Sequence, residues 1–458
     1  MNRLVVISNR VFSPNSKDQE ASGGLGVGLL EALSSHGGSW LGWSGEVVEN
    51  SSEQTLNLQE KAGVTYATIS LEKSDYDGFY NLYSNGTLWP LFHYRLDLVQ
   101  FSDESYHSYR KVNKFFAEQF YSILKSDDLV WVHDYHFIPL ASELRKKRCS
   151  QKMGFFLHVP WPAREVFLAL PNHRELVESL LEYDLIGFQT KGHIIAFMDY
   201  IVTELGGVVD SDGLIYVNGK RTKVKHFPIS IDFKKFVSLS DESKQSKTVQ
   251  RLSKSLEDSK LILGVDRLDY SKGLLNRLHS YELLLQRYPK HKRFSTFMQI
   301  APTSRSDALH YGDMRRAIET KAGHINGLYS DFDWVPVRYL NKAFNRRILA
   351  GFFRQSRVGL VTPFRDGMNL VAKEFVAAQS VEDPGVLVLS RFAGAAEEML
   401  GALQVNPYDP VSISTVLNEA LEMSLKERRY RWVRMYEQIE ANDLTRWWQN
   451  FISELNKT

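Results

Sequence analysis

The chain reads as an α/β protein built from two doubly wound parallel sheets. Three observations predict this. Short apolar runs, of the kind that form strands buried on both faces, alternate with helical stretches along its length. Polar and charged residues gather where those runs end, which is where open α/β sheets bind their ligands. The alternation begins afresh after the polar tract 233–258, and 458 residues exceed what a single core usually supports. We therefore expect one Rossmann-like domain over 1–235 and a second over 236–440. A C-terminal helix over 441–458 is expected to pack back on the first.

The elements follow in order. Leu4 to Ser8 is a first strand that delivers Asn9 and Arg10 at its end. A polar loop runs to Ser22, then Gly23, Gly24 and two further glycines lead into a helix, where bare backbone N–H groups can approach a ligand closely. The spacing is not the dinucleotide fingerprint, and no Walker A motif occurs. After the run GSWLGWSG (Gly38–Gly45), the stretch to Ser74 looks charged and irregular. Phe79 to Tyr94 is dense in aromatics, with Tyr80 and Trp89 flanking an expected turn at Asn85-Gly86. Leu129 to Val132 is a strand ending in His133-Asp134-Tyr135-His136. Continued alternation puts His133 and Tyr135 on one face and Asp134 and His136 on the other, so a metal site is disfavoured there. Gly154 to Leu157 carries His158 and Val159 at its end, and Leu185–Thr190 and Lys223–Ile231 complete the first half.

Leu261 to Val265 opens the second half. Its loop holds Arg267 and Lys272, two cations that suit a diphosphate and the charge building on a departing nucleotide. Thr296 to Pro302 delivers Arg305, and Val386 to Ser390 is a late strand. The most informative stretch is Val358 to Gln379: strand, polar loop Arg365-Asp366-Gly367-Met368-Asn369, then a helix from Leu370. The N–H groups at that helix start suit an anion, Asp366 suits a sugar hydroxyl, and Glu374 suits ribose hydroxyls. Leu444 to Leu455 is an amphipathic helix with Trp447, Trp448 and Phe451.

Bulk properties exclude several classes. Hydrophobic residues make 43% and charged residues 24%, the balance of a soluble protein. A net charge of +2 argues neither for nucleic acid nor for a membrane surface. Cys149 is the only cysteine, so no internal disulfide forms, which fits a reducing compartment. No run approaches the ~18 apolar residues of a membrane span, and Met1-Asn2-Arg3 leads straight into a strand. A cytoplasmic location is expected.

In combination, the motifs SNR, GGL, YN…LWP, HDYH, FFLHVPWP, RLDYSKG, APTSR and RDGMNLVAKE resemble the trehalose-phosphate synthase family of retaining glycosyltransferases. The likeness runs from Ser8 to Asn406 and implies the GT-B fold, two Rossmann-like domains facing across a cleft. It implies transfer of glucose from UDP-glucose to glucose 6-phosphate, giving trehalose 6-phosphate and UDP. By resemblance, Arg10, Tyr80, Asp134 and Arg305 bind the acceptor. Gly23, Gly24, His158, Arg267, Lys272, Phe344 and Asp366 bind the donor, together with Gly367, Met368, Asn369, Leu370, Val371, Ala372, Lys373 and Glu374. Trp89 and Val159 fall where the family sets the anomeric outcome. His158, Arg267, Lys272 and Asp366 are the expected catalytic residues.

The family is thought to work without a protein nucleophile, and the sequence shows no carboxylate pair that must serve as one. No metal and no cofactor are demanded, because Arg267, Lys272 and a helix start supply a positive field. The family often forms homo-oligomers, dimers or tetramers. Two rivals differ in acceptor or in chemistry: a relative using glycerol 3-phosphate or another acceptor, and a catalytically silent nucleotide-sugar sensor. The first departs at Arg10, Tyr80 and Asp134, and the second at His158, Arg267, Lys272 or Asp366.

Overall fold

Strand β1 (Leu4–Arg10) lies at the heart of the first sheet of a computed structural model that describes residues 3–11, 24–303 and 309–458. Leu4 to Ile7 are at most 1% exposed, as a strand covered on both faces requires. On one side β1 pairs in parallel with β2 (Gly38–Val48), which pairs with β4 (Val64–Glu72). On the other it pairs in parallel with β5 (Leu129–His133), followed by β6 (Lys152–Phe156), β7 (Leu185–Phe188) and β10 (Lys220–His226). Antiparallel strands close both edges: β3 (Leu56–Lys61) beside β4, and β9 (Leu214–Val217) with β8 (Val208–Val209) beside β10. The direction of winding reverses at β1, between β2 and β5.

The stretch expected to be irregular, from Glu46 to Ser74, is therefore mostly strand. In β4, buried Val64, Tyr66, Ala67, Ile69 and Leu71, drawn from both faces, are interrupted by half-buried polar residues. The interspersed polar residues lie near a sheet edge, so the apolar run that marks a central strand is missing.

The second unit holds a six-stranded sheet in the order β13–β12–β11–β14–β15–β16. Its strands are β11 (Lys260–Val265), β12 (Ser295–Ile300), β13 (Val337–Leu340), β14 (Ser356–Val361), β15 (Val386–Ser390) and β16 (Leu403–Val405), all parallel. Counted from β11, this is the 3-2-1-4-5-6 order of a Rossmann sheet, so its switch point lies between β11 and β14. Helix Leu274–Arg287 covers one face, burying Leu274, Leu278, Tyr281, Leu284 and Leu285. The expected α/β class with two parallel-strand sheets is the one observed.

The chain divides into the units Met1–Pro228 with Thr445–Thr458, and Ile229–Leu444. The polar tract 233–258 folds as two helices, Phe233–Ser243 and Lys247–Leu256. Their sparse apolar residues Phe236, Val249, Leu252 and Leu256 are buried. The last helix, Leu444–Leu455, lays Phe451 and Trp447 against Trp131, with ring centroids 4.6 and 5.0 Å apart. A Cβ on Gly154 or Gly187 would stand 2.7 or 2.8 Å from the Phe451 ring, so only glycine leaves room for this docking.

Candidate active site

Residues at the ends of β1, β5 and β6 converge at the first switch point. Arg10 ends β1 and holds its guanidinium 5.1 Å from the Trp43 ring, a cation–π contact. Gly45 makes this possible. Its φ of +88° and the absence of a Cβ leave the space the guanidinium fills, since a Cβ there would overlap the guanidinium Nη1. Trp43 in turn packs on Tyr76 and Tyr80 at 5.2 and 5.7 Å, and Tyr80 stacks on His136 at 5.8 Å. The result is a cation beside an aromatic wall, which suits a phosphorylated sugar: guanidinium for phosphate, rings for the sugar face.

Tyr80 sits in a π-helical stretch, Tyr76–Leu88, and the expected turn at Asn85-Gly86 is absent. Tertiary packing overrides that turn signal. Phe79 and Tyr83 are fully buried against Tyr109, and the Tyr135 hydroxyl donates to Asn85 Oδ1 at 2.9 Å. Such wide helices are rare and cluster at functional sites. Trp89 follows at the start of a short helix and packs on His93 and Tyr135 at 4.2 and 5.9 Å.

Asp134 is strained. It has φ 73° and ψ 167°, a region that glycine alone occupies readily, at a cost of about 1–3 kcal/mol for other residues. Its N–H donates to the Phe156 carbonyl at 2.8 Å, its Oδ1 accepts from the His158 N–H at 3.2 Å, and its carbonyl accepts from the Phe137 N–H at 3.1 Å. The strand alternation expected through His136 thus ends at His133, and Tyr135–Phe137 form a 3₁₀ turn. Among the described residues, no group of three or more His, Cys, Asp or Glu is placed to hold a metal ion.

His158 leaves β6 and meets His133, with Nε2 and Nδ1 3.1 Å apart. His133 is 1% exposed among Trp131, Phe156 and Trp447. Burial holds His133 well below the usual histidine range, helped by His158, and pushes His158 down to about 3. The sign of the pH dependence follows. Below pH ~6.5 the unfolded chain protonates His133 while the native one refuses the proton, so its contribution to stability is complete above that pH and is lost on acidification. Stability should fall by up to about 1.4 kcal/mol per pH unit from this residue. Urea unfolding between pH 7.5 and 5.5 tests it, because His133→Phe should show the shallower slope. Equal slopes would remove His133 as the cause.

The second switch point gathers the loops after β11 and β14. Lys272 and Asp366 form an ion pair at 2.6 Å, and Asn369 Nδ2 donates to the same Asp366 oxygen at 3.0 Å. Asn369, at φ 78°, caps helix Leu370–Ala378 by accepting from the Ala372 N–H at 3.2 Å. Asp366 and Met368 are fixed through their carbonyls by Gly394 and Ala395 N–H groups at 3.1 and 2.8 Å. Arg267 is exposed at the mouth of this loop. Beneath it Arg277, fully buried, donates to Thr362 Oγ1, Gln299 Oε1 and the Lys272 carbonyl, and pairs with Asp266 at 2.6 Å. It ties together both loops that flank the switch point.

The chain is matched over residues 2–457 by the model of glycosyltransferase family 20. It belongs to that family. A trehalose-6-phosphate synthase of Cronobacter sakazakii is 46% identical over 457 residues, covering 100% of this chain and 96% of that protein. An α,α-trehalose-phosphate synthase (UDP-forming) from Burkholderia xenovorans, solved in complex with glucose-6-phosphate, matches with a TM-score of 0.95 and 45% identity over 99% of this chain and 100% of that one. An E. coli structure bound with UDP-2-fluoro glucose matches with a TM-score of 0.94 and 44% identity, covering 100% and 99%.

Within this family-20 chain, the fold brings Arg10, Tyr80, Asp134 and His158 to the end of the first sheet, and Arg267, Lys272 and Asp366–Glu374 to the end of the second. Gly23 and Arg305 lie outside the described residues, while Gly24 begins helix Gly24–His36. Val159 is 6% exposed just beyond β6. Phe344 packs edge-on against Phe352 at 5.2 Å, with the Lys342 ammonium over its ring. Glu374 pairs with Arg346 at 3.4 Å, and burial raises its pKa against that pull. The Lys373 side chain points elsewhere: its ammonium is tied to the Ile229 carbonyl at 2.8 Å and to Glu398 at 2.7 Å. Only the backbone of Lys373 is therefore available to a ligand at the helix start. Sequence reading missed Trp43, Tyr76 and Arg277. Trp43 had a signal, a tryptophan two residues before a glycine in the run GSWLGWSG, whereas Arg277 had none.

Proposed function

We propose that the chain transfers glucose from UDP-glucose to glucose 6-phosphate with retention, releasing α,α-trehalose 6-phosphate and UDP. The observation that carries this reading is a guanidinium beside an aromatic wall at one switch point and a Lys–Asp–Asn cluster under a helix start at the other. Its support from relatives is a Burkholderia protein solved with glucose-6-phosphate and an E. coli protein solved with UDP-2-fluoro glucose.

Arg10, with Arg305, holds the acceptor phosphate, and Tyr80 and Asp134 hold its sugar. The diphosphate lies on Arg267, Lys272 and the N–H groups of Leu370 to Lys373, with Gly23 and Gly24 as further donor contacts. His158, Asp366 and the backbone of Gly367, Met368 and Asn369 hold the donor glucose. Glu374 takes the ribose, Phe344 meets the base through its backbone, and Trp89 and Val159 set the anomeric outcome. The bond from the anomeric carbon to the UDP oxygen breaks as the acceptor hydroxyl attacks from the same face, and its proton passes to the departing phosphate oxygen. The protein's work is positioning and stabilisation of the charge on UDP.

Arg10→Ala should raise KM for glucose 6-phosphate about 10–100-fold, the loss of a charge-assisted bond, with UDP affinity unchanged. Equal loss of both would make Arg10 a structural residue. The reading as a whole is tested by UDP release from UDP-glucose with no acceptor, with glucose 6-phosphate and with glycerol 3-phosphate. Release only with glucose 6-phosphate supports it, release only with glycerol 3-phosphate moves the acceptor, and silence in all three favours a sensor.

Among the described residues no helix is long and apolar enough to cross a membrane. A cytoplasmic homo-oligomer, dimer or tetramer, completes the proposal, and light scattering on the purified chain reads its mass.

A further inference from the structure

We infer that His133 is a positioning residue that fixes the tautomer of His158, leaving Nδ1–H of His158 as the donor to the substrate. The inference rests on the reading of His158 as a residue of the donor-sugar site. It begins from two imidazoles with 3.1 Å between Nε2 of His158 and Nδ1 of His133. Both are neutral near pH 7, since burial disfavours their charged forms. One proton therefore lies between them, and each neutral ring carries one N–H.

Two arrangements satisfy that count. If His158 donates, His133 must carry its own proton on Nε2. That atom is buried and has no hydrogen-bond partner among the described residues. Its surroundings are rings: Trp131 at 4.4 Å, Phe156 at 6.3 Å and Trp447 at 6.4 Å between centroids. An orphaned buried N–H is the rarer defect in proteins, and an under-used acceptor the more tolerated one. If His133 donates, Nε2 keeps only a lone pair in that apolar slot, and no N–H is wasted. The second arrangement places the His158 proton on Nδ1, the nitrogen turned away from His133. The C-terminal helix contributes directly, because Trp447 also packs on His158 at 6.1 Å and closes the slot.

The test combines NMR with kinetics on the full chain. Long-range ¹H–¹⁵N correlation of histidine-labelled protein at pH 7.5, assigned with His158→Gln, reads the His158 tautomer directly. The expected wild-type result is protonated Nδ1 and bare Nε2. His133→Phe keeps a ring in the slot but removes the donor. It should shift His158 toward Nε2–H and lower kcat/KM for UDP-glucose about tenfold, the worth of one neutral hydrogen bond. His133→Asn places an amide N–H near the same point and should restore the Nδ1–H form and part of the rate. A wild-type His158 protonated on Nε2, or a tautomer unmoved in His133→Phe, would overturn the inference. Circular dichroism and thermal melting confirm that each variant is folded. The NMR readout does not depend on turnover, so an inactive wild type would count against the proposed reaction and not against the tautomer.

Discussion

Replacing Arg267 by alanine is expected to lower kcat by about 10²–10³-fold, the effect of deleting a charge aimed at a developing anion. KM for glucose 6-phosphate should stay within about threefold, because Arg10, Tyr80 and Asp134 stand on the other sheet. The contrast with Lys272 explains why Arg267 is the cleaner probe. The Lys272 ammonium is 2.6 Å from Asp366, which Asn369 also holds. Removing that lysine leaves a carboxylate unpaired and disturbs sugar and diphosphate contacts together. Arg267 is exposed at the loop's mouth, so its loss should subtract charge without opening a cavity. Single-turnover measurement with saturating substrates isolates the chemical step. A kcat unchanged in Arg267→Ala would end its assignment to the leaving group.

The largest stability effect is expected at Arg277. Its side chain is 0% exposed, donates to Thr362, Gln299 and the Lys272 carbonyl, and forms an ion pair with Asp266. Arg277→Leu removes the partner of a buried carboxylate, a change that costs about 3–5 kcal/mol. Burial already pushes the Asp266 pKa up, with Arg277 and Lys272 opposing it, so in the variant Asp266 should become protonated at a markedly higher pH. Urea unfolding of the variant should therefore show a lower midpoint, with the loss easing toward acid. Adding Asp266→Asn should recover part of the stability, since the unpaired charge is gone. A loss under about 1 kcal/mol would mean that water reaches the pair and that the network does not hold the two loops.

Much of the fold was legible because its central strands are covered on both faces. Leu4–Ile7, Leu129–Val132 and Leu261–Val265 must be apolar throughout to lie there, and an uninterrupted apolar run survives translation into sequence. Strands β3 and β4, at and next to one sheet edge, were not legible, because half-buried polar residues such as Thr65 and Thr68 break the run. The π-helical stretch was hidden behind an Asn-Gly pair that signals a turn when read locally. Its outcome was decided by Phe79 and Tyr83 packing on Tyr109, contacts between residues some thirty positions apart.

The candidate site divides in the same way. Sequence by itself determined the chemistry: which loops carry cations, a carboxylate and a histidine at strand ends, and that a helix begins at Leu370. Tertiary structure decided what each group faces. It turned the Lys373 ammonium inward to Glu398, bent the chain at Asp134 out of strand alternation, and set Trp43 beside Arg10. It also set His133 against His158 and Arg277 beneath both second-sheet loops. The physical reason is that residue type follows from local spacing, whereas orientation and protonation follow from neighbours that arrive from distant parts of the chain.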